Sequence, residues 1–376
     1  MNLRHYYLGQ SANYSASDVF KHLFSIGLEK DCSSLQRYLS QRYSGKAYLC
    51  KNGRSGLALA LKAYFAPGDG VIINGFTCYA VYEAVKAAKL EPVFADISRE
   101  NLNFTEESLK AALSRSKNTK GIIIQNSLGN PIDIKMVEKF AKENDLIIIE
   151  DLAHCTGVKY SDGRECGTVG AGVALSFGKD KSIDTISGGA VVLHDPVKHE
   201  IEAPSNSPQP SCHLRARFYP LFGMISRGLS HIHLGGLFMQ GLVKIHWVEK
   251  SADNRLDLKR RISRFEAKLA LKQFEKLKRN GESPIRTFCF VKDRDEVLKK
   301  LAKAGYYFDG LWYKQPVSPE RYYKKIKFPE DNCPEAVYVA KHIINFPTYY
   351  TRTDLTRAKE IIKPYLDNSK EKGEVK

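Results

Sequence analysis

Leu146-Ile147-Ile148-Ile149-Glu150-Asp151-Leu152-Ala153-His154 is an apolar, β-branched run that ends in two carboxylates, and Ser176-Phe177-Gly178-Lys179-Asp180-Lys181 closes a second such run before Gly188-Gly189-Ala190-Val191-Val192 opens a third. An aspartate and a lysine are thereby set at the ends of neighbouring strand signals. Working outward, Val71 to Asn74, Pro92 to Asp96, Gly121 to Asn126, Leu146 to Asp151, Val173 to Phe177 and Ala190 to His194 read as strands. Ser55 to Tyr64, Tyr79 to Lys89 and Ile134 to Asn144 read as helices between them. This alternation predicts an α/β fold, a mostly parallel sheet flanked by helices, with the ligand crevice outside the carboxyl ends of the strands. A lysine and an aspartate at such an edge suit pyridoxal 5'-phosphate: the lysine forms a Schiff base with the cofactor aldehyde, and the aspartate keeps the pyridine nitrogen protonated.

The 376 residues, 43% of them hydrophobic, suffice for one large core and a second small one, which excludes a disordered chain. Eight cysteines are scattered without a CxxC pair, and the N-terminus has no apolar signal segment, so the expected setting is cytoplasmic with reduced thiols. Lys and Arg number 58 against 42 Asp and Glu, a net charge of +16 that attracts phosphates, anionic lipid or nucleic acid alike. Pro204 to Ser211, rich in Pro and Ser, marks an insertion, and Gly281-Glu282-Ser283-Pro284 marks a boundary. The expected organisation is an N-terminal segment (1–44) packing with the small domain, a large domain (45–280) with a hydrophobic insertion at about 205–255, and a smaller C-terminal α+β domain (281–376). The last of these carries the strand-like TFCFV and helices over Arg294 to Ala304 and Thr353 to Leu366.

Asn52-Gly53-Arg54-Ser55-Gly56-Leu57, Pro67-Gly68-Asp69, Phe76-Thr77, Glu91 to Asp96, Glu150 to His154, Ser176-Phe177 with Lys181, Arg261-Ile262-Ser263 and Asn345-Phe346-Pro347 occur in an order that resembles the DegT-type sugar aminotransferases, fold type I pyridoxal phosphate enzymes acting on nucleotide-linked keto sugars. The resemblance implies that Lys181, rather than its neighbour in register Lys179, is the cofactor lysine and the proton carrier. It implies Asp151 as ring partner, a position that also suits a helix N-cap, and His154 near the cofactor's phenolic oxygen. Gly53 and Ser55 at a helix start, with Ser176, are expected at the phosphate. Arg54 departs from the family's Ser-Gly-Thr and reads either as a phosphate contact or as a solvated cation. Cys78 stands where relatives place a stacking aromatic, so Cys78 or Tyr79 is expected over the ring. Lys259 replaces an asparagine that reaches the neighbouring subunit's phosphate, which implies a homodimer with shared sites.

Within His213 to Lys250, two apolar runs too short to span a bilayer are edged by Arg215, Arg217, Arg227, Lys244 and Trp247. One reading is amphipathic helices lying peripherally on the inner membrane surface. The preferred one packs the apolar face on the dimer partner or the small domain. The histidines there, His213, His231, His233 and His246, lack compact ligand spacing, so no metal is expected. Lys324-Lys325 with Tyr322-Tyr323 belong to no nucleic-acid module, and no nucleic acid is expected. The resemblance implies transfer of an amino group, with glutamate as the expected donor, to a nucleotide-linked keto sugar for polysaccharide or glycoconjugate synthesis. The alternatives are a pyridoxal-phosphate sugar dehydratase, in which histidine replaces the lysine, an aminotransferase acting on a lipid-linked sugar, and a non-catalytic ligand sensor.

Overall fold

A computed structural model describes residues 6–8, 16–207, 210–230, 232, 234–248, 255–280, 285–308, 311–348 and 352–367. The chain opens with β1 (Tyr6–Leu8), α1 (Ala16–Leu23), α2 (Glu29–Arg42), β2 (Lys46–Cys50), α3 (Gly53–Tyr64), β3 (Gly70–Asn74), β4 (Thr77–Cys78), α4 (Tyr79–Ala87), β5 (Glu91–Ala95) and α5 (Glu106–Ser114). It continues through β6 (Thr119–Ile124), α6 (Ile134–Glu143), β7 (Ile147–Asp151), β8 (Gly172–Ser176), β9 (Gly189–Leu193), α7 (Pro210–Ser230), α8 (Gly235–Lys244) and α9 (Arg264–Asn280). The last part holds β10 (Arg286–Phe290), α10 (Arg294–Lys303), β11 (Tyr306–Phe308), β12 (Val317–Ser318), α11 (Glu320–Tyr323), α12 (Pro334–His342), β13 (Ile343–Pro347) and α13 (Arg352–Ile362).

Seven strands form the central sheet in the order β2-β9-β8-β7-β6-β3-β5. All neighbours are parallel except where β9 runs against β2 and β8. The six strands expected from the β-branched runs are present, each shifted by at most two residues. β2 was not among them; its Lys46-Ala47-Tyr48 start lacks the apolar run that marks the buried strands, because it lies at the sheet's edge. Helices cover both faces, as a sheet with near-continuous apolar strands requires. Leu35, Leu39, Ile122, Ile124, Val137 and Phe274 pack into one layer, and Leu57, Leu61, Val71, Ile73, Ile123 and Val339 into the other.

After α9 the chain builds an antiparallel β10–β13 pair, with a separate small core around Val291, Leu301, Ile344, Phe346 and Leu355. β1 pairs in parallel with β11, while α2 packs along α9 and the large sheet. α12 buries Ala336 and Val339 in the same layer as α3 and α4. The final helix, expected to reach Leu366, ends at Ile362 and gives way to a 3-10 turn over Lys363–Tyr365, because Pro364 has no N–H to continue the ladder. The insertion folds as the α7–α8 hairpin, which packs with α1 around Val19, Ala216, Tyr219, Met239 and Val248. No helix among the described residues is long and apolar enough to cross a membrane.

Candidate active site

β2, β3, β6, β7 and β8 point the same way, so the chain leaving each arrives at one edge of the sheet. Asn52 follows β2, Thr77 follows β3, Gln125 follows β6, and Asp151 and Ser176 end β7 and β8. Asn52 caps α3: its Oδ1 accepts from the Ser55 amide at 2.9 Å and the Ser55 hydroxyl at 2.8 Å. The first amides of the helix, Gly53 and Arg54, have no acceptor within it and carry the positive end of its dipole. Gly53 lies so close to β8 that a Cβ there would stand 2.6 Å from the Ser176 Cβ. Helix N-terminus and serine hydroxyl thus converge, as an anion site requires.

Lys181, Asp151, His154, Ser176, Gly53, Arg54 and Cys78 line one cavity of about 220 Å³. Three other expected residues are placed differently. Tyr79 does not line it; its ring stacks on Tyr322 with centroids 4.1 Å apart, so of the two candidates for the ring face only Cys78 reaches the cavity. Ser55 is fully buried, its hydroxyl held between Asn52 Oδ1 and the Asp257 amide at 3.0 Å, so it serves the cap rather than the cavity. Lys259 is exposed and outside its own chain's cavity. Arg54 lines the cavity while its guanidinium forms an ion pair with Glu83 of α4. Lys179 also lines it, its ammonium 3.9 Å over the Tyr219 ring of the hairpin. Of the insertion's histidines, His231 and His233 lie outside the described residues and His246 is exposed.

The adjoining acids Glu150 and Asp151 face opposite fates. Glu150 is fully buried and accepts from the amides of Gly167 (2.7 Å), Val169 (2.9 Å) and Gly170 (2.6 Å) and from the Tyr160 hydroxyl (2.7 Å), which fixes the loop behind β7. Asp151 accepts from the Ala153 amide at 3.0 Å; burial pushes its carboxyl up, and that amide and the Lys181 charge pull it back. Desolvation lowers the Lys181 ammonium below its ordinary value, while Cys78 and Asp151 oppose the shift. Burial, with the charges of Lys181 and Arg286, holds His154 neutral. His154 Nδ1 accepts from the Leu128 amide at 3.2 Å, which assigns the ring proton to Nε2, 3.2 Å from the Tyr313 hydroxyl. Asp180, in left-handed backbone at φ +62°, is pushed up to about 7 by burial and by Asp184.

Several residues at the site carry no local sequence signal. The Trp312 indole lies 4.4 Å from the Lys181 ammonium, 4.1 Å from the Arg286 guanidinium and, stacked, 4.9 Å from the His154 ring. Arg286, only 2% exposed, donates to Asn345 Oδ1 at 2.9 Å. Gln125 accepts from Thr77 Oγ1 at 2.9 Å and lines the cavity, as does Tyr313.

A lysine and a carboxylate at one sheet edge, beside a helix N-terminus backed by a serine, define the class of enzymes that hold a phosphorylated cofactor through its carbonyl. The chain belongs to the DegT/DnrJ/EryC1/StrS aminotransferase family, whose profile matches residues 33–363. It is 32% identical over 145 residues to a pleiotropic regulatory protein of Geobacillus stearothermophilus, covering 38% of each chain. It is 32% identical over 160 residues to GDP-perosamine synthase of Escherichia coli O157:H7, covering 42% of this chain and 43% of that one. The matches to these curated relatives therefore span about two fifths of their length. Among solved structures, a DegT DnrJ EryC1 StrS aminotransferase from Brucella abortus superposes with a TM-score of 0.65 at 19% identity, over 92% of this chain and 94% of that one. GDP-4-keto-6-deoxy-D-mannose-3-dehydratase of E. coli, with bound hydrated PLP, gives 0.67 at 17% identity over 95% and 99%. At such identities these two establish the fold.

The residues present fit the family's cofactor, pyridoxal 5'-phosphate. Gly53, lacking a Cβ, lets the start of α3 come close to Ser176, so that helix amides and a hydroxyl lie together as an anion cradle requires, and Lys181 and Asp151 supply an amine and a carboxylate in the same cavity. The Gly53 and Arg54 amides with the Ser176 hydroxyl would hold the phosphate, Asp151 the ring nitrogen and Lys181 the carbonyl carbon.

Proposed function

We propose that this protein is a pyridoxal-phosphate-dependent aminotransferase that moves an amino group, with glutamate as donor, to a keto sugar carried by a nucleotide. The observation that carries the reading is the Lys181 amine, shifted toward its neutral form by desolvation, in one cavity with Asp151 and the Gly53–Ser176 cradle. When bound, the cofactor supplies a carbonyl for the incoming amine and a ring that accepts electrons. Lys181 Nζ takes up and returns the proton at the donor's α-carbon, which requires the unprotonated amine that desolvation favours. Asp151 would keep the ring nitrogen protonated. His154 Nε2–H orients the Tyr313 hydroxyl at the cavity wall.

Arg260 and Arg261 also line the cavity, so its cationic rim suits a diphosphate-bearing substrate, as does the net charge of +16. The relative named GDP-perosamine synthase is in keeping with a sugar on a nucleoside diphosphate. Lys259, exposed beside that rim, is available to a neighbouring subunit's phosphate, in line with a homodimer that shares its sites. The dehydratase reading is supported by a likeness of fold alone, and the lysine at position 181 favours transamination.

Absorbance spectra of the purified protein and of Lys181→Ala, each before and after glutamate, test the reading. The native protein should show the visible band of a lysine-bound cofactor that glutamate shifts to shorter wavelength, and the variant should lack that cycle. A native protein without a visible band after incubation with pyridoxal phosphate would overturn the assignment.

A further inference from the structure

Both ring nitrogens of His154 are engaged by the protein itself. Nδ1 takes the Leu128 amide proton at 3.2 Å, so the ring's own proton sits on Nε2, and the Tyr313 hydroxyl 3.2 Å away accepts it. No ring nitrogen is left to meet an occupant of the cavity. The Tyr313 oxygen, in turn, receives that proton and still has one of its own to give. Among the described residues it makes no other hydrogen bond, and Tyr313 lines the cavity. Burial, then Cys78 and Asp151, push the phenol up, so it keeps the proton it has to donate.

The donor is also held in place. The Asn345 side-chain amide donates to the Trp312 carbonyl, and a few residues on the Pro316 carbonyl accepts from the Thr77 amide at 2.7 Å, where β12 pairs with β4. The Tyr313 ring packs on Phe76 with centroids 5.4 Å apart. A hydroxyl fixed in this way presents its proton in one direction without reorganising.

The strand order says which atom of the cofactor that proton meets. Along the sheet edge the Gly53–Ser176 cradle stands at β8 and Asp151 ends β7. The His154–Tyr313 pair lies on the other flank, because Leu128 follows β6 and Phe76 follows β3. In pyridoxal phosphate the phosphate arm and the phenolic oxygen stand on opposite sides of the line from ring nitrogen to carbonyl carbon. With the phosphate in the cradle and the nitrogen at Asp151, the phenolic oxygen falls on the β6 flank.

We propose, on the pyridoxal-phosphate reading, that Tyr313 is the hydrogen-bond donor to the cofactor's phenolic oxygen and that His154 is a positioning residue which acts only through Tyr313. The family resemblance sets His154 itself at that oxygen, a contact for which its engaged nitrogens leave no donor. A donor at the phenolic oxygen draws electron density from it, so the oxygen grips less tightly the proton on the nitrogen that joins Lys181 to the cofactor. The visible band of the lysine-bound cofactor is then lost at a lower pH. The other charged and titratable groups facing the pair, Lys181, Asp151, Cys78 and Arg286, are unchanged by the substitutions that test this.

The test is a pH titration of that band in the loaded full-length protein, native beside Tyr313→Phe, His154→Leu and His154→Gln. Tyr313→Phe keeps the ring and its packing and removes only the oxygen. Its midpoint should move up by about 1 unit, and its apoprotein should bind pyridoxal phosphate about threefold to tenfold more weakly. His154→Leu, which leaves the hydroxyl without its guide, should move the midpoint in the same direction by less. His154→Gln can return an N–H to the Tyr313 oxygen, and its midpoint should stay within about 0.3 unit of native. An unmoved midpoint in Tyr313→Phe or in His154→Leu would overturn the proposal. So would a shift in His154→Gln as large as that in Tyr313→Phe, which would give His154 its own contact with the cofactor. A native protein without a visible band would overturn the proposal and the aminotransferase reading together, whereas a native band with an unmoved Tyr313→Phe overturns the proposal alone.

Discussion

Asp151 and Ser176 reach the cavity from the ends of strands buried inside the sheet, whereas Arg215, Tyr219 and Trp247 reach it from a hairpin whose outer side lies in water. The strand-end residues are held by neighbours on both sides and by helices on both faces, so their positions are fixed by the core itself. The hairpin rests on a small core of its own and joins the large domain through few residues. Trp312 and Arg286 come from a third source, the chain after α9, and close over Lys181. On the proposed function the difference points to a division of labour: the sheet edge would hold the cofactor and the proton chemistry, and the covering segments would govern what else enters.

Asp151→Asn tests the sheet edge most severely. It keeps the shape and the Ala153 hydrogen bond but removes the charge that stabilises a protonated ring nitrogen, so kcat should fall roughly 100- to 1,000-fold. Cofactor content, read from absorbance, should stay near native. An Asn variant with near-native kcat would show that the ring nitrogen has another partner and would break the division.

Gly53→Ala is the next largest. The added methyl would meet Ser176 Cβ at 2.6 Å, so either α3 or the end of β8 must shift and open the cradle. Overpacking of this kind costs about 1–3 kcal/mol, which corresponds to a cofactor affinity weakened roughly 10- to 100-fold. Titration of the apoprotein with pyridoxal phosphate measures it. An unchanged affinity would mean that the phosphate is held elsewhere.

Trp312→Ala probes the covering side. With cofactor held from the sheet edge, its affinity should change within about threefold, while KM for the sugar rises about tenfold as the wall beside Lys181 opens. A fall in cofactor affinity of the same size as the rise in KM would merge the two regions into one.

The sheet-edge half was legible because its signals are local. Ile147-Ile148-Ile149 before Glu150-Asp151 states a strand, its end and the acid that follows it within a few residues. The same locality places Ser176 and Lys181 after β8, and Asn52-Gly53 before α3. Tyr79 and Ser55 were misplaced for one reason: adjacency in sequence fixes an element but not the direction of a side chain. Thus Tyr79 turns to Tyr322, and Ser55 turns to the Asp257 amide, 202 residues away. Arg286, Trp312 and Tyr313 were out of reach because they meet Lys181 or His154 through contacts spanning more than a hundred residues, for which no spacing rule exists. The insertion was legible as two apolar runs, and their pairing as a hairpin packed on α1 appeared only in the fold.

The smallest effect concerns Asp180, between Lys179 and Lys181 where the two regions touch. Its carboxyl is pushed from 3.8 up to about 7, by burial first and then by Asp184, against the pull of Arg286, Lys179 and Lys181. Folded protein therefore binds a proton more tightly there than unfolded chain does. The stability this contributes is fully present below about 3.8 and is lost as pH rises through about 7. Asp180→Asn removes the titration, so the variant should gain melting temperature over the native apoprotein at pH 8 and lose that advantage near pH 5. The gain should be on the order of 1 kcal/mol, because partial exposure and relaxation of the loop screen much of the shift. A difference in melting temperature that stays constant across this window would show that the carboxyl is ionised throughout, held by the lysines on either side rather than raised by its burial.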